Sequence, residues 1–218
     1  MKMSFVESNG LLIRSISYAE AIPMIVNNHY LHRKCQIIYS FGLFSYGGLK
    51  GVITYGNPPS PSLQKGVCGP EETKNVIELN RLWIDDNMPK NSESFLIAST
   101  LKMIEKEIVV SFADSEQGHL GVIYQATNWI YTGLSDKHTE WKIEGSEKHS
   151  RAYSHQYTLG QLKEMFGDKL QIKQRSRKYR YVYINARSKK RRKELIEKLR
   201  YPSLPYPKHQ AEAEASHD

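Results

Sequence analysis

Residues 76–114 decide the fold, and they read VIELNRLWIDD (76–86), NMPKNSES (87–94), FLIASTLKMIEKEI (95–108) and IVVSFAD (108–114). The first stretch alternates enough for a β-strand, and the second has the composition of a polar loop. The third carries apolar residues at helical spacing, and the fourth has the apolar composition of a buried strand. This order predicts an α/β domain in which a polar loop leads from a strand into a helix.

Two antiparallel strands are predicted upstream of this segment. Residues 19–30 predict a helix that ends in a polar turn, and 37–47 and 49–56 predict strands joined by a tight turn at Tyr46-Gly47-Gly48. Residues 57–75 are rich in Pro, Gly and Ser, and they predict a long surface loop without regular structure.

Downstream, residues 119–133 predict a second helix, closed by Gly133. In that helix Tyr124, Asn128 and Tyr131 would share one polar face. We also expect strands at 139–145 and 178–185, a helix capped by Thr158 at 158–167 and a basic helix at 188–200.

The predicted fold class is therefore α/β, with a single domain over residues 1–209. The tail from residue 210 to 218 has a low-complexity sequence, and we expect it to be disordered. No repeat period is visible in the sequence.

Composition excludes several classes of protein. The chain is 39% hydrophobic and has no apolar run long enough for a membrane span. Its N-terminus lacks the pattern of a signal peptide, so we expect the protein to stay in the cytoplasm. Cys35 and Cys68 stand apart from any CxxC or Cys/His cluster, which argues against a zinc module or a disulfide framework.

The positive charge of the chain is concentrated in one region. The formal net charge is +8, and residues 171–200 contain 13 Lys and Arg but only two acidic residues. Basic residues interleaved with tyrosines suit a surface that follows a nucleic-acid backbone, although a solvated basic strand and helix is the alternative. The predicted DNA-binding residues are Arg175, Arg177, Lys178, Arg180, Lys189, Lys190, Arg191, Arg192 and Lys193.

Two places in the pattern of strands and helices suit binding or catalysis. A loop that opens a helix offers unpaired N–H groups to a phosphate, and Lys90, Asn91, Ser92 and Ser94 lie there; the alternative is that Ser92 only caps the helix. Asp114 ends an apolar strand, where it predicts either a catalytic carboxylate or a turn.

Histidine and tyrosine residues supply further candidates. His29 closes the first predicted helix, either as a ligand or as a partner of the helix dipole. Tyr124 carries a hydroxyl that is suited to donate a proton or to hydrogen-bond a base.

The stretches ELNRLWI, PKNSESFLIASTLK and SFADSEQGHLGVIYQATNWIYTG, in this order, resemble the Mom family of DNA-modification proteins from Mu-like phages. The similarity runs from Asn27 to Tyr131, and the closing PYPK fits the same family.

This resemblance implies a divergent GNAT fold, with a mixed and mostly antiparallel central sheet flanked by helices. It implies that Leu82, Trp83 and Ile84 bind the pantetheine of acetyl-CoA and that the loop holding Lys90, Asn91, Ser92 and Ser94 binds its pyrophosphate, with Asn128 and Tyr131 as further cofactor residues. The loop contains no glycine, unlike that of ordinary GNAT enzymes.

The resemblance also implies catalytic roles for His29, Tyr30, Arg81, Asp114 and Tyr124, with His29 and Asp114 as possible ligands of iron, a metal that imidazole and carboxylate groups suit. The implied reaction gives adenine an N6-carbamoylmethyl (acetamido) group and protects phage DNA from restriction inside the bacterial host. Simple attack on an acetyl thioester would instead give an N6-acetyl amide. The alternatives are an N-acetyltransferase for a protein or a small amine and a DNA-binding protein without catalytic activity.

Overall fold

A sheet of eight strands, with helices on both faces, forms the centre of the molecule. The computed structural model describes residues 5–146, 153 and 156–208. Its strands are β1 (Phe5–Ser8), β2 (Leu11–Ser15), β3 (Tyr39–Ser45), β4 (Gly48–Gly56), β5 (Val76–Ile84), β6 (Ile108–Asp114), β7 (Ile130–Leu134), β8 (Thr139–Ile143), β9 (Leu170–Gln174) and β10 (Lys178–Ile184). Its helices are α1 (Tyr18–Asn28), α2 (Pro61–Cys68), α3 (Ser92–Met103), α4 (Val122–Gln125), α5 (Leu159–Phe166) and α6 (Lys189–Glu197).

The strand order in the large sheet is β1-β2-β3-β4-β5-β6-β10-β7. Every neighbouring pair is antiparallel except β5 and β6, which are parallel because α3 carries the chain from one to the other. The predicted fold class, a mixed and mostly antiparallel sheet flanked by helices, is confirmed.

Alternate residues of the strands pack against helices on opposite faces. Ile53 of β4 lies in the cluster that contains Leu96 and Ile97 of α3, whereas the adjacent Val52 packs with Ile25 of α1. Further along the second face, α2 and α6 cover β6 and β10. This alternation follows from the two-residue period of a strand.

The tight turn between β3 and β4 is confirmed, and Tyr46 and Gly47 both adopt positive φ there. The helix cap predicted at Thr158 is confirmed, and it forms a capping box with Gln161 at the start of α5. The helix predicted over 95–108 ends earlier, at Met103, and Ile108 belongs to β6.

The prediction of an irregular loop at 57–75 was wrong. Ser60 caps α2 by accepting a hydrogen bond from the Leu63 N–H group, and Pro61 occupies the first helical position, where proline is tolerated. Val67 and Cys68 are then buried in one cluster with Leu195 of α6. A 3-10 helix follows at Pro70–Asn75. The Pro, Gly and Ser content of the segment predicts no helix, but tertiary packing stabilises a short one.

The helix predicted over 119–133 was also wrong. Only Val122–Gln125 is helical, and the chain then turns into strand β7. Asn128 adopts a φ of 60°, which breaks the helix. Tyr124, Asn128 and Tyr131 therefore do not share a helix face.

Two further segments complete the described fold. Strands β8 and β9, which lie between β7 and β10 in the sequence, form a separate two-stranded sheet. Residues 201–208 run back along β7, where the Leu204 N–H donates to the Tyr131 carbonyl and the Tyr206 hydroxyl donates to the Trp129 carbonyl. Within the described residues, no helix is long and apolar enough to cross a membrane. The tail predicted to be disordered, 210–218, lies outside the described residues.

Candidate active site

A cleft of about 350 Å³ opens at the carboxyl ends of β5 and β6. Its lining includes all five predicted catalytic residues, which come from four separate segments of the chain: His29, Tyr30, Arg81, Asp114 and Tyr124. Such convergence of titratable side chains in one cavity is typical of an active site.

The cleft exists because β5 and β6 separate. Their ladder covers only Val76–Glu78 of β5, so the stretch from Leu79 to Ile84 has no ladder partner on β6 within the described strands. At the point of separation, the Ser111 hydroxyl donates to the Leu79 carbonyl at 2.8 Å. The backbone edge beyond this point is therefore available to a ligand.

Tyr124 lies at the apex of this opening, with its hydroxyl 2.8 Å from the Ser111 hydroxyl. Ser111 has a single proton, which it can donate either to the Leu79 carbonyl or to the Tyr124 hydroxyl, so the phenol oxygen accepts at most one hydrogen bond from it. Burial raises the pKa of Tyr124 to about 12. Tyr124 is therefore a neutral phenol whose oxygen lone pairs remain able to accept a hydrogen bond from a ligand.

His29 is buried at the end of α1 and is neutral. Its Nδ1 accepts a hydrogen bond from the Leu31 N–H at 3.1 Å, which places the ring proton on Nε2. Burial lowers the pKa of His29 to about 4, and the nearby positive charge of Arg81 acts in the same direction. The ring also stacks on Tyr30 with 4.5 Å between the centroids. His29 can therefore donate a hydrogen bond at neutral pH.

Tyr30 presents its ring at the mouth of the cleft, where the residue is 39% exposed. Its free edge meets His119 at a centroid distance of 6.0 Å. An exposed aromatic ring beside a cavity is a suitable stacking surface for a planar ligand.

Asp114 ends β6 and forms an ion pair with Lys178 at 2.7 Å. The same carboxylate accepts hydrogen bonds from the Ser176 hydroxyl and the Glu116 N–H. Burial alone would raise the pKa of Asp114, but the hydrogen bond and charge of Lys178 outweigh it, so the pKa lies below its usual value. Asp114 is thus an ionised carboxylate and a weak base.

Arg81 brings a cation to the wall of the cleft. One of its terminal nitrogens donates to the Asn80 carbonyl at 2.6 Å, and its Nε is buried without a hydrogen-bond partner. An unpaired buried donor costs free energy unless a ligand satisfies it. This nitrogen can therefore donate a hydrogen bond to an acceptor atom of a ligand.

A second cavity, a groove of about 440 Å³, runs along α3. The predicted cofactor residues Asn91, Ser94 and Asn128 line it. Helix α4 and the turn after it separate the two cavities, because residues 120–124 line the cleft and residues 126–128 line the groove.

The start of α3 leaves its first-turn N–H groups without a side-chain cap. Asn91 is the N-cap residue and its side chain makes no capping hydrogen bond, while the Ser92 hydroxyl donates to the Pro89 carbonyl. Asn91 adopts a φ of 71°, so it supplies the left-handed backbone that glycine provides in other phosphate loops. The alternative in which Ser92 caps the helix is not what the structure shows.

A match to the Mom protein family covers residues 10–208. The chain is also 35% identical over 215 residues to "Methylcarbamoylase mom" from Escherichia phage Mu, covering 92% of this chain and 85% of the relative. The chain belongs to the Mom family.

Solved structures of acetyltransferases resemble this Mom protein at low identity. They include a ribosomal-protein-S5-alanine acetyltransferase from Vibrio fischeri (TM-score 0.49, 9% identity, 84% of this chain and 97% of that one). A GNAT-family acetyltransferase from Bacillus cereus has a TM-score of 0.44 and 10% identity over 81% of this chain and 99% of that one. Similarities at this level carry no conclusion about the activity of this chain.

The structure separates the remaining cofactor residues predicted for the Mom protein. Leu82 lines the cleft, whereas Trp83, Ile84, Lys90, Ser92 and Tyr131 line neither cavity. Tyr131 instead packs its ring on Tyr181 in the core, 5.3 Å between centroids, because β7 replaces the predicted helix. Tyr131 therefore lies outside both cavities, and its role in cofactor binding stays a prediction that this geometry does not support.

Several predicted DNA-binding side chains are occupied inside the fold. Arg180 is buried, donates to Thr132 and stacks on Tyr201 at 3.5 Å. Arg191 forms ion pairs with Glu72, Glu107 and Glu194. These contacts give both arginines a role within the fold, and their predicted contact with DNA stays a prediction that the geometry does not support.

Three more of the predicted basic residues also bind protein groups. Arg177 donates to the Ser135 and Leu134 carbonyls, Lys178 pairs with Asp114, and Arg192 donates to the Ile184 carbonyl. Lys193 of α6 faces Glu197 at 3.9 Å but is 81% exposed along its side chain, and Lys189 and Lys190 are exposed as well.

The residues do not fit the predicted iron site. Within the described part of the chain, no group of three His, Cys, Asp or Glu residues is placed to hold a metal ion. Asp114 is paired with Lys178, and one nitrogen of His29 is bound to the Leu31 N–H. Roles for these two residues are therefore derived without a metal.

The lining residues that the sequence did not predict include Ser111 and His119. Ser111 sits within an apolar strand, where its hydroxyl has no visible partner in the sequence. Val110 faces one side of the sheet, so the strand period places Ser111 on the other side, that of the cleft. This alternation could have predicted that Ser111 lines the cleft.

Proposed function

We propose that this Mom protein is a DNA-modifying transferase that converts adenine to N6-carbamoylmethyl (acetamido) adenine with an acetyl-CoA-derived group. The observation that carries the proposal is the meeting of His29, Tyr30, Arg81, Asp114 and Tyr124 in one cleft. The name of the phage Mu relative, a methylcarbamoylase, supports group transfer as the reaction class. The modified base would protect phage DNA from restriction in the host.

The groove along α3 suits acyl-CoA. The uncapped N–H groups at the start of α3 suit the pyrophosphate, and the unpaired backbone edge of β5 suits the amides of pantetheine. Asn91, Ser94 and Asn128 would hold the nucleotide half of the cofactor, and Leu82 the end nearest the cleft. Bound acetyl-CoA would supply the two carbons of the added group. Joining its methyl carbon to N6 also requires a two-electron oxidant that removes a methyl hydrogen, and an ammonia-level nitrogen donor that displaces CoA as the free thiol to form the amide.

The cleft suits an adenine taken out of the DNA stack. Enzymes that modify a base in duplex DNA extrude it into a pocket and stack it on apolar or aromatic side chains. Tyr30 offers such a ring at the mouth, and the lone pairs of the Tyr124 hydroxyl suit the N6 amino group, which is a donor. In this arrangement Tyr124 positions the nitrogen that is modified.

The other residues supply fixed charges and donors. His29 donates through Nε2–H, and the unpaired Nε of Arg81 donates to a ligand oxygen or ring nitrogen. Asp114 holds Lys178 at the edge of the cleft and keeps its negative charge at neutral pH. The site is thus rich in hydrogen-bond donors, which suit the carbonyl oxygen of the acyl group and the ring nitrogens of the base.

Mass spectrometry of nucleosides tests the proposal and identifies the product. Plasmid DNA from cells that express the protein should contain an adenosine with a carbamoylmethyl group. A methylcarbamoyl group has the same mass, but it is a urea that loses methyl isocyanate on fragmentation, whereas the carbamoylmethyl group keeps its methylene carbon on N6. An N6-acetyl product has a different mass.

Two tyrosine variants form a matched pair for this experiment. Tyr124→Phe removes the hydroxyl in the cleft, and Tyr131→Phe removes one from a buried tyrosine outside both cavities. We expect modification to be lost in the first variant and retained in the second. Unmodified DNA from the wild-type strain would contradict the proposal. Acetylation of a peptide or a small amine would then favour an N-acetyltransferase, and DNA binding alone would favour a DNA-binding protein.

A further inference from the structure

The basic helix α6 lies at the wrong end of the sheet to serve the cleft. Asp114 ends β6 at the mouth of the cleft, whereas Glu107 precedes the start of β6 and binds both Arg191 of α6 and the Asn185 N–H. Seven residues of extended strand separate these two points by about 20 Å. The cations of α6 are therefore remote from the phosphates next to a nucleotide whose base occupies the cleft.

Other cations lie at the mouth itself. Arg33 follows Tyr30 by three residues, and Arg175 directly precedes Ser176, whose hydroxyl binds Asp114 at 3.2 Å. Burial and the charge of Asp114 raise the pKa of Tyr30, whereas the positive charges of Arg81, Arg33 and Arg175 lower it. The guanidinium groups of Arg33 and Arg175 thus both act on the exposed Tyr30 ring, although they come from segments far apart in the chain.

The turn that carries Arg33 is held in place by its backbone. The His32 N–H donates to the His29 carbonyl at 2.7 Å, and the His32 ring bonds to the Val26 carbonyl at 2.9 Å. His32 also adopts a φ of 45°, a conformation that folded proteins use sparingly outside glycine. Arg33 and Lys34 are exposed beyond this turn.

We propose that Arg33, Lys34 and Arg175, here called the cleft rim, contact the phosphates that flank the target nucleotide in duplex DNA, and that α6 is not part of the DNA-binding surface. The inference rests on the proposed function, because the cleft takes an extruded base. A base in the cleft places its own phosphates at the mouth, where cations of the rim neutralise them. Such contacts hold the DNA without reading its sequence.

Two triple variants with equal loss of charge test the rim. The rim variant carries Arg33→Gln, Lys34→Gln and Arg175→Gln, and the control carries Lys189→Gln, Lys190→Gln and Lys193→Gln on α6. The affinity of the full-length protein for a fluorescent duplex is measured by anisotropy at several salt concentrations. Thermal unfolding of both variants checks that they are folded.

We expect the rim variant to bind DNA more weakly, on the order of tenfold, and to show a flatter salt dependence. Each lost phosphate contact reduces the slope of log K against log salt by about 0.9, so the reduction should reach about 2 to 3. The α6 variant should bind like the wild type. Equal affinity of the rim variant and the wild type, or weaker binding by the α6 variant, would overturn the inference.

Two further measurements distinguish the loss of rim contacts from other causes of weaker DNA binding. Arg175→Lys keeps the charge and should keep most of the affinity, and so it tests the rim even if the triple variant fails to fold. Adenine modification is measured in the same strains. A wild-type protein that leaves adenine unmodified while the rim variant still loses DNA affinity would sink the proposed function and leave the rim intact.

Discussion

Replacing Asp114 by leucine breaks the ion pair with Lys178 in a nearly buried place. The side chains of Asp114 and Lys178 are only 9% and 20% exposed, so the substitution leaves an ammonium group largely out of water without its partner. The Ser176 hydroxyl and the Glu116 N–H lose their acceptor as well. Breaking a buried pair costs roughly 3 to 5 kcal/mol, and the partial exposure of Lys178 reduces this to about 2 to 3 kcal/mol.

A loss of this size is measurable by thermal or urea denaturation. In a domain of this length, each 1 kcal/mol lowers Tm by about 2 to 4 °C, so the Asp114→Leu protein should melt roughly 5 to 10 °C below the wild type. The loss of stability would by itself reduce activity in cells. A single substitution therefore cannot separate a structural role from a role in the reaction.

The double variant Asp114→Leu/Lys178→Met separates the two roles. Apolar side chains of similar size replace the pair, so most of the lost stability should return, because no unpaired charge remains buried. We expect the double variant to be folded and still unable to modify adenine. The reasoning fails if the double variant is no more stable than the Asp114→Leu protein, or if it modifies DNA as the wild type does.

Three other predictions concern stability and pH. Hydrogen bonds from Arg191 are the chief cause that lowers the pKa of Glu72 to about 2. The stabilisation from Glu72 is therefore complete above pH 4.5 and is lost as the pH falls toward 2. Glu72→Gln should make the free energy of unfolding depend less on pH in this range. Burial lowers the pKa of His29 to about 4, so as the pH falls the unfolded state is protonated before the folded state. The stability of the wild type should therefore fall between pH 6.5 and pH 4. Urea unfolding at each pH should show a smaller fall for His29→Gln. A Cβ on Gly121 would clash with the Tyr181 ring, whereas one on Gly118 would meet nothing within 4 Å. Both glycines have positive φ, so Gly121→Ala should lower Tm clearly more than Gly118→Ala, and equal melting points would refute the clash.

The part of the fold that the sequence predicts best is the strand, loop and helix around ELNRLWI and PKNSES. Local patterns agree there with the tertiary structure, since β5, α3 and β6 all have apolar residues in the period that their structure requires. The same patterns placed Asp114 at a strand end and the start of α3 after a polar loop. Because these elements are predicted correctly, the residues that the resemblance to the Mom family implies lie on elements that meet in one cleft.

Other features depend on contacts that local sequence does not show. The turn after α4 ends a helical pattern through the positive φ of Asn128, which asparagine permits but does not require. Helix α2 depends on the burial of Val67 and Cys68 against α6, more than a hundred residues later. The ion pairs of Arg191 join α6 to Glu72 and Glu107, so a run of basic residues that suggested a DNA surface includes a side chain that stabilises the fold.

Isotopic labelling tests the central claim, that the cleft joins an acetyl-CoA-derived group to adenine. Cells expressing the protein are grown with acetate labelled by carbon-13 at both carbons, and the nucleosides of their DNA are analysed by mass spectrometry. The account predicts a modified adenosine that carries both labelled carbons in the added group and that is absent from cells expressing Tyr124→Phe. Unmodified adenosine, or a modified adenosine without label in the added group, would contradict it.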